Sequence, residues 1–226
     1  MSLSTATTKR LRFAGNIPRY YRLFRKYQTY TMIRRNAYMS NLAAAELARN
    51  IEGCVVECGV WRGGMIAGIA ETLGPQRNYY LFDSYEGLPE PTDRDGDGAK
   101  AWRQNTNGPN YHDNCRAEKE FAEKAMQLSG VKSYQCMKGW FDQTLATFTP
   151  AAPIALLRID ADWYDSVLCC LTQLHRHLAK DAVVIFDDYY TWDGCAKAVH
   201  RFLADMEVAA RIRTEFGGVC VLTGLT

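Results

Sequence analysis

Residues 55–64, Val-Val-Glu-Cys-Gly-Val-Trp-Arg-Gly-Gly, limit what this chain can fold into more than any other stretch. A short apolar run, 54–56, reaches Glu57, three glycines follow in quick succession, and residues 65–70 then have helical composition. That order predicts a buried strand, a tight turn and the start of a helix. Glycine lets the backbone approach a bound molecule closely and take positive φ, and the first turn of a helix offers unpaired N–H groups. The glycine spacing differs from G-x-G-x-x-G and no Lys-Ser/Thr pair follows it, which excludes the dinucleotide fingerprint and the P-loop.

At 226 residues the chain has room for one sizeable α/β domain and a small appendage. We divide it into a helical cap or lid over residues 1–50 and a main domain over 51–226. A net charge of +2 gives no reason to expect nucleic acid or an acidic membrane surface as partner. No apolar run approaches the roughly 18–20 residues of a membrane span. Lys9, Arg10 and Arg12 have no apolar stretch behind them, so no secretory signal is expected. The cysteines form no C-x-x-C pair, and Cys54, Cys58, Cys136, Cys169, Cys170 and Cys220 sit in or beside apolar runs. Reduced, buried thiols in a cytoplasmic protein are the expectation.

Tyr20, Tyr21, Phe24 and Tyr27 recur at helical spacing among basic residues, and a second amphipathic segment spans 37–49. From Cys54 the rhythm becomes strand, helix, strand. Strands are predicted over 54–57, 78–83, 131–137, 154–160 and 182–187, with a late pair over 212–216 and 219–222. Helices are predicted over 64–73, 116–129, 166–177 and 195–206. Apolar strands alternating with helices imply a mainly parallel, seven-stranded sheet covered on both faces. The Phe216-Gly217-Gly218-Val219 turn predicts an antiparallel hairpin at one edge. Residues 90–114, rich in Asp, Asn, Gly and Pro, read as a long loop placed for substrate contacts. Asp93-x-Asp95-Gly96 resembles a calcium loop only in part, because its twelfth position is Gln104 rather than Glu.

Open α/β sheets bind ligands at the carboxyl ends of their strands. Here predicted strands one, two and four end in Glu57, Asp83 and Asp160, and the fifth ends in Asp187-Asp188. Asp83 is placed to accept hydrogen bonds from ribose hydroxyls. Asp160, Asp187 and Asp188 together offer three hard oxygen donors, a set that suits Mg²⁺ or another hard divalent cation. A cation on an acceptor hydroxyl lowers its pKa, and a nearby carboxylate can then take the proton. Asp162 is the first candidate for that base; Asp160 could serve as both ligand and base, and a helix N-cap is the structural alternative for Asp162. No histidine pair has metal-ligand spacing, and His112, in the polar loop, is kept as a possible substrate contact.

An acid leading into a glycine turn at the end of a first strand is the loop that holds S-adenosylmethionine in class I (Rossmann-like) methyltransferases. Residues 56–64, 82–89 (Phe-Asp-Ser-Tyr-Glu-Gly-Leu-Pro), 138–141 (Lys-Gly-Trp-Phe), 157–166 (Leu-Arg-Ile-Asp-Ala-Asp-Trp-Tyr-Asp-Ser), 187–194 and 197–199 carry a longer likeness. In order and spacing they resemble the macrocin O-methyltransferase family, the TylF, MycF and NovP type that methylates sugar hydroxyls on macrolide and aminocoumarin antibiotics. The resemblance implies S-adenosylmethionine held by Glu57, Gly59, Asp83 and Ser84, with Asp160 beside it and Gly139, Trp140 and Phe141 near the adenine. It also implies Mg²⁺ on Asp160, Asp187 and Asp188, and N-terminal helices that help close the site, with Met32 approaching the cofactor. The implied acceptor is a hydroxyl of a small, glycosylated natural product; homo-oligomerisation is left open. A catechol-type phenolic methyltransferase and a non-catalytic binding protein for the same cofactor are the alternatives.

Overall fold

The structure, a computed structural model, describes residues 5–225; residues 1–4 of the expected cap, Thr226 and the side chains of residues 5–12 lie outside that description. The chain opens with α1 (Thr5–Tyr27) and α2 (Arg35–Ala45), then β1 (Cys54–Cys58), α3 (Gly64–Leu73) and β2 (Tyr79–Asp83). The helix α4 (Gly96–Gln104), the single turn α5 (His112–Cys115) and α6 (Lys119–Ser129) lead to β3 (Tyr134–Lys138) and the short α7 (Phe141–Thr144). The chain continues through β4 (Ile154–Ile159), α8 (Tyr164–Leu174), β5 (Leu178–Phe186) and α9 (Asp193–Met206), and ends in β6 (Arg211–Glu215) and β7 (Val219–Thr223).

The seven strands form one sheet in the order β3-β2-β1-β4-β5-β7-β6. Strands β1 to β5 run parallel, and β7 joins β5 antiparallel with β6 as its hairpin partner. This is the α/β, mainly parallel sheet expected from the alternating pattern, hairpin included. Strand order reverses between β1 and β4, which places a crevice at their carboxyl ends. Among the described residues no helix is long and apolar enough to cross a membrane.

Side chains alternate across the sheet, and two cores result. Val55, Leu81, Leu156 and Ile185 face α1, α2, α3 and α6. Val56, Phe82, Leu157 and Phe186 face α8 and α9. Tyr20, Leu23, Tyr27 and Tyr38 from the N-terminal helices belong to the first core and are fully buried. Tyr38 donates its hydroxyl to the Gly64 carbonyl at 2.9 Å, tying α2 to the start of α3. Arg77 donates to the carbonyls of Ala48, Arg49, Ile51 and Gly53, which closes off the chain end that leads into β1.

Residues 90–114 are not a continuous loop. Thr92 forms a reciprocal capping box with Asp95, and α4 follows. Trp102 of α4 packs on Trp163 and Trp192, at centroid distances of 5.8 and 6.3 Å. The Asp-Gly-rich composition therefore supplies a cap, and an indole contact far off in sequence holds the helix. Strand β5 also begins at Leu178, four residues ahead of the expected 182, because Leu178 pairs with Ile154 across an irregular register. The polar Lys180-Asp181 within it disguised the strand.

Gly68 of α3 lies against α2: an added Cβ would lie 2.0 Å from Tyr38 Oη and 3.3 Å from Leu42 Cδ2. Gly68→Ala is expected to lower stability by about 1–3 kcal/mol through overpacking, outweighing the roughly 1 kcal/mol of helix propensity it gains. Urea unfolding measures the difference, and an unchanged midpoint would mean that α2 is loosely seated.

Candidate functional site

A cavity of about 530 Å³ opens at the carboxyl ends of β1, β2, β4 and β5. Met32, Glu57, Gly59, Asp83, Ser84, Gly139, Trp140, Phe141, Asp160, Asp162, Asp187 and Asp188 all line it, as does His112. The sequence-derived site residues are therefore brought together in one crevice.

Period-two geometry explains the acids. Glu57 on β1 is the register partner of Arg158 on β4, so both point to the face covered by α2. Asp160 lies two residues beyond Arg158, and Asp187 two beyond Ile185, the partner of Arg158 on β5. Arg158 is fully buried and bonds Glu57 Oε1 at 2.8 Å and Asp160 Oδ2 at 2.9 Å through Nη1. Its Nη2 lies 2.6 Å from Asp187 Oδ1. Nε donates to Asn41 Oδ1 at 3.0 Å, and Asn41 Nδ2 donates in turn to Asp187 Oδ1 at 3.0 Å. One guanidinium thus serves three carboxylates, helped by an amide from α2. Glu57 Oε2 is buried with no partner.

One carboxylate oxygen from each of Asp160, Asp187 and Asp188 lies within 4.8 Å of the others. Burial and mutual repulsion push Asp160, Asp162 and Asp188 toward their neutral forms. Asp160 rises to about 6, chiefly by burial and against the pull of Arg158. Asp188 rises well above the carboxylate range through burial and the charges of Asp162, Asp160 and Asp187. Asp162 is pushed up to about 8 by burial and by Asp160. These four aspartates and Glu57 line the crevice, and Arg158 bonds three of the five.

Asp162 does not cap α8. Its backbone has φ 53°, the capping position belongs to Trp163, and Asp162 Oδ1 accepts a hydrogen bond from Trp192 Nε1 at 2.8 Å. Asp83 is already engaged: Oδ2 accepts from the amides of Val60 and Trp61 at 2.7 and 2.8 Å, and Oδ1 from the amide of Tyr85 at 2.6 Å. It therefore shapes the glycine turn from beneath. The Ser84 hydroxyl donates to the Gly87 carbonyl and accepts from the Glu86 amide, both at 3.0 Å, so it serves its own turn. Gly59, at φ +84°, is required by close approach: an added Cβ would lie 1.7 Å from the Asp160 carbonyl oxygen. The partial calcium pattern dissolves, since Asp93 pairs with Lys100 and Asp95 bonds Thr92 and Tyr164.

Sequence reasoning passed over Arg158, Asn41, Trp102 and Trp192. Arg158 did leave a signal, because an arginine inside the apolar run 154–159 must find a buried carboxylate. Asn41 left none; only the packing of α2 on the sheet reveals it.

The model for the family described as macrocin-O-methyltransferase (TylF) matches residues 18–221. The demethyldecarbamoylnovobiocin O-methyltransferase of Streptomyces niveus is 29% identical over 173 residues, which cover 74% of this chain and 64% of that protein. The 8-demethyl-8-(2,3-dimethoxy-alpha-L-rhamnosyl)-tetracenomycin-C 4'-O-methyltransferase of Streptomyces olivaceus is 31% identical over 162 residues, covering 69% of this chain and 60% of that one. The matches thus span less than two thirds of the length of these curated relatives. Among solved structures, the O-methyltransferase NovP superposes with a TM-score of 0.70 at 25% identity, over 86% of this chain and 81% of that one. The calicheamicin methyltransferase CalS11 shares the fold, with a TM-score of 0.65 at 19% identity over 99% of this chain and 94% of that one. On this match, which runs from the middle of α1 into β7, the chain belongs to the macrocin-O-methyltransferase (TylF) family.

Proposed function

We propose that the protein is an O-methyltransferase that uses S-adenosylmethionine and Mg²⁺ to methylate a hydroxyl of a small natural product, most naturally on a sugar. The observation that carries this reading is the convergence of Asp160, Asp187 and Asp188 beside the 59–64 glycine turn in one cavity. Relatives named for action on demethyldecarbamoylnovobiocin, a rhamnosyl tetracenomycin and mycinamicin III support a glycosylated acceptor. We place the reaction in the cytoplasm, with the N-terminal helices as the lid of the site.

The residues present fit both groups. The unpartnered Glu57 Oε2 calls for a donor such as the cofactor's ammonium, and the uncompensated acids call for a hard cation. Asp160, Asp187 and Asp188 would hold the metal; Gly59, Asp83, Gly139, Trp140 and Phe141 would surround the adenosyl part. When bound, the cofactor supplies an electrophilic methyl and the cation an acceptor oxygen of lowered pKa. The chain's own part is to align and deprotonate. Trp192 fixes one oxygen of Asp162, and positive charge among its neighbours would draw Asp162 down from about 8 toward the ordinary carboxylate range. Ionised, it can take the acceptor's proton. The aromatic wall from Trp102 and Trp192 would exclude water and face the apolar side of an acceptor ring.

Turnover of glycosylated acceptors with labelled S-adenosylmethionine should stop in EDTA and return with Mg²⁺; product formed in the presence of EDTA would overturn the metal dependence, and preference for catechols would favour the phenolic alternative. Asp188→Ala should leave S-adenosylhomocysteine affinity within about twofold by calorimetry while turnover drops on the order of 10²-fold. Equal loss of both would contradict the division between metal and cofactor residues. Asp83→Ala should do the reverse and weaken S-adenosylhomocysteine binding, by about tenfold or more, since three turn amides lose their acceptor.

Glu57 gives a pH signature. Burial lifts it from 4.5 to about 8, with Arg158 opposing. A carboxyl raised on folding contributes stability that is full below its unfolded value and is lost as pH rises through the folded one. Glu57→Gln has no such proton to lose. The melting temperature of the variant relative to wild type should therefore increase between pH 5 and pH 8 (both about) in the ligand-free protein, and a constant difference across that window would show Glu57 to be ionised throughout.

A further inference from the structure

We propose that Asp95 is a positioning residue for the acceptor side of the cavity, holding Asp162, Trp192 and Trp102 together as one wall. What the wall does rests on the methyltransferase reading; how it is built does not.

Asp95 is 2% exposed and is not among the residues that line the cavity. Its Oδ1 accepts the Tyr164 amide at 2.6 Å, and its Oδ2 accepts the Thr92 amide at 2.6 Å and the Thr92 hydroxyl at 2.9 Å. It also abuts α9: a Cβ on Gly194 would lie 2.2 Å from Asp95 Oδ1. Neither α8 nor α9 has a side-chain cap of its own, the capping positions being Trp163 and Trp192. A carboxylate from a distant segment thus meets the starts of two helices, where unpaired amides and the positive ends of the helix dipoles call for an acceptor and negative charge.

Both helices begin directly after site residues. Asp162 lies two residues before Tyr164, Trp192 lies one before Asp193, and the two are joined by the Trp192 Nε1 to Asp162 Oδ1 bond. Seven residues past Asp95, Trp102 packs on Trp163 and Trp192, which are themselves 5.2 Å apart. Trp163 Nε1 also donates to the Pro89 carbonyl at 2.9 Å, while Arg94 to Asp165 at 3.1 Å, Arg94 over the Tyr164 ring at 4.8 Å and Lys197 Nζ to the Arg94 carbonyl at 3.0 Å are contacts of exposed side chains. The buried carboxylate is the latch that meets the starts of both α8 and α9. The residues around the glycine turn make no bond to it, so loosening the latch should spare the cofactor side.

Asp95→Asn tests this, because the amide keeps the shape but turns an NH₂ toward one of the two sets of donors the carboxylate serves. Hydrogen exchange in peptides covering 96–104 and 163–166 should quicken by about tenfold or more, with β1 and β4 unchanged. The exciton signal of the Trp102–Trp163–Trp192 cluster in circular dichroism should fall, Trp102→Phe serving as the reference for its loss. Affinity for S-adenosylhomocysteine should stay within about twofold by calorimetry, since the turn residues are untouched. Thr92→Ala, which removes one of the three bonds, should give a smaller change of the same kind. Unaltered exchange and dichroism would overturn the proposal, as would faster exchange throughout the sheet or parallel loss of cofactor affinity. In Asp95→Asn the acceptor KM should rise by about fivefold or more with the S-adenosylmethionine KM unchanged, a split that general loss of stability would not produce and whose absence would overturn the positioning role. Exchange, dichroism and cofactor affinity need no turnover, so they test the latch even if the chain transfers no methyl group.

Discussion

A single buried guanidinium organises this molecule. Arg158 sits on the central strand β4 with carboxylates on both sides, Glu57 from β1 and Asp187 after β5, and Asp160 further along its own strand. None of these charges could be buried alone without a cost of several kcal/mol. The pairing ties the carboxyl ends of three adjacent strands together at the point where strand order reverses. It also reaches outside the sheet, since Asn41 of α2 bonds both Arg158 and Asp187. The helix α2 is thereby part of the site's electrostatic framework as well as of the hydrophobic core.

The same arrangement is deliberately incomplete. Arg158 compensates three acids in part and leaves Asp162 and Asp188 with no cation, and burial lifts both. Burying acids with incomplete compensation costs the folded state stability. The unpartnered oxygen of Glu57 has the same character at the other end of the network. Stability given up at a site is what lets a ligand bind there with a gain.

Away from the acids, the crevice is closed by aromatic side chains on elements far apart in sequence: Trp102 on α4, Trp140 before α7 and Trp192 before α9. Trp102 and Trp192 pack with Trp163 into one apolar wall, and Trp140 lines the crevice apart from that cluster.

The order of apolar runs and glycine turns was enough to define the parallel sheet and its terminal hairpin, because strand burial and helix periodicity are local properties of composition. The acids at the strand ends were legible for the same reason: period-two alternation fixes which residues share a face once the strands are drawn. Tertiary structure decided the rest. It turned Asp162 away from the helix cap and toward Trp192, set Asp83 beneath the glycine turn, converted the Asp-Gly-rich stretch after β2 into a docked helix, and brought Asn41 to Asp187. Each of these depends on contacts between residues dozens of positions apart, and no local pattern encodes a partner that only the folded packing supplies.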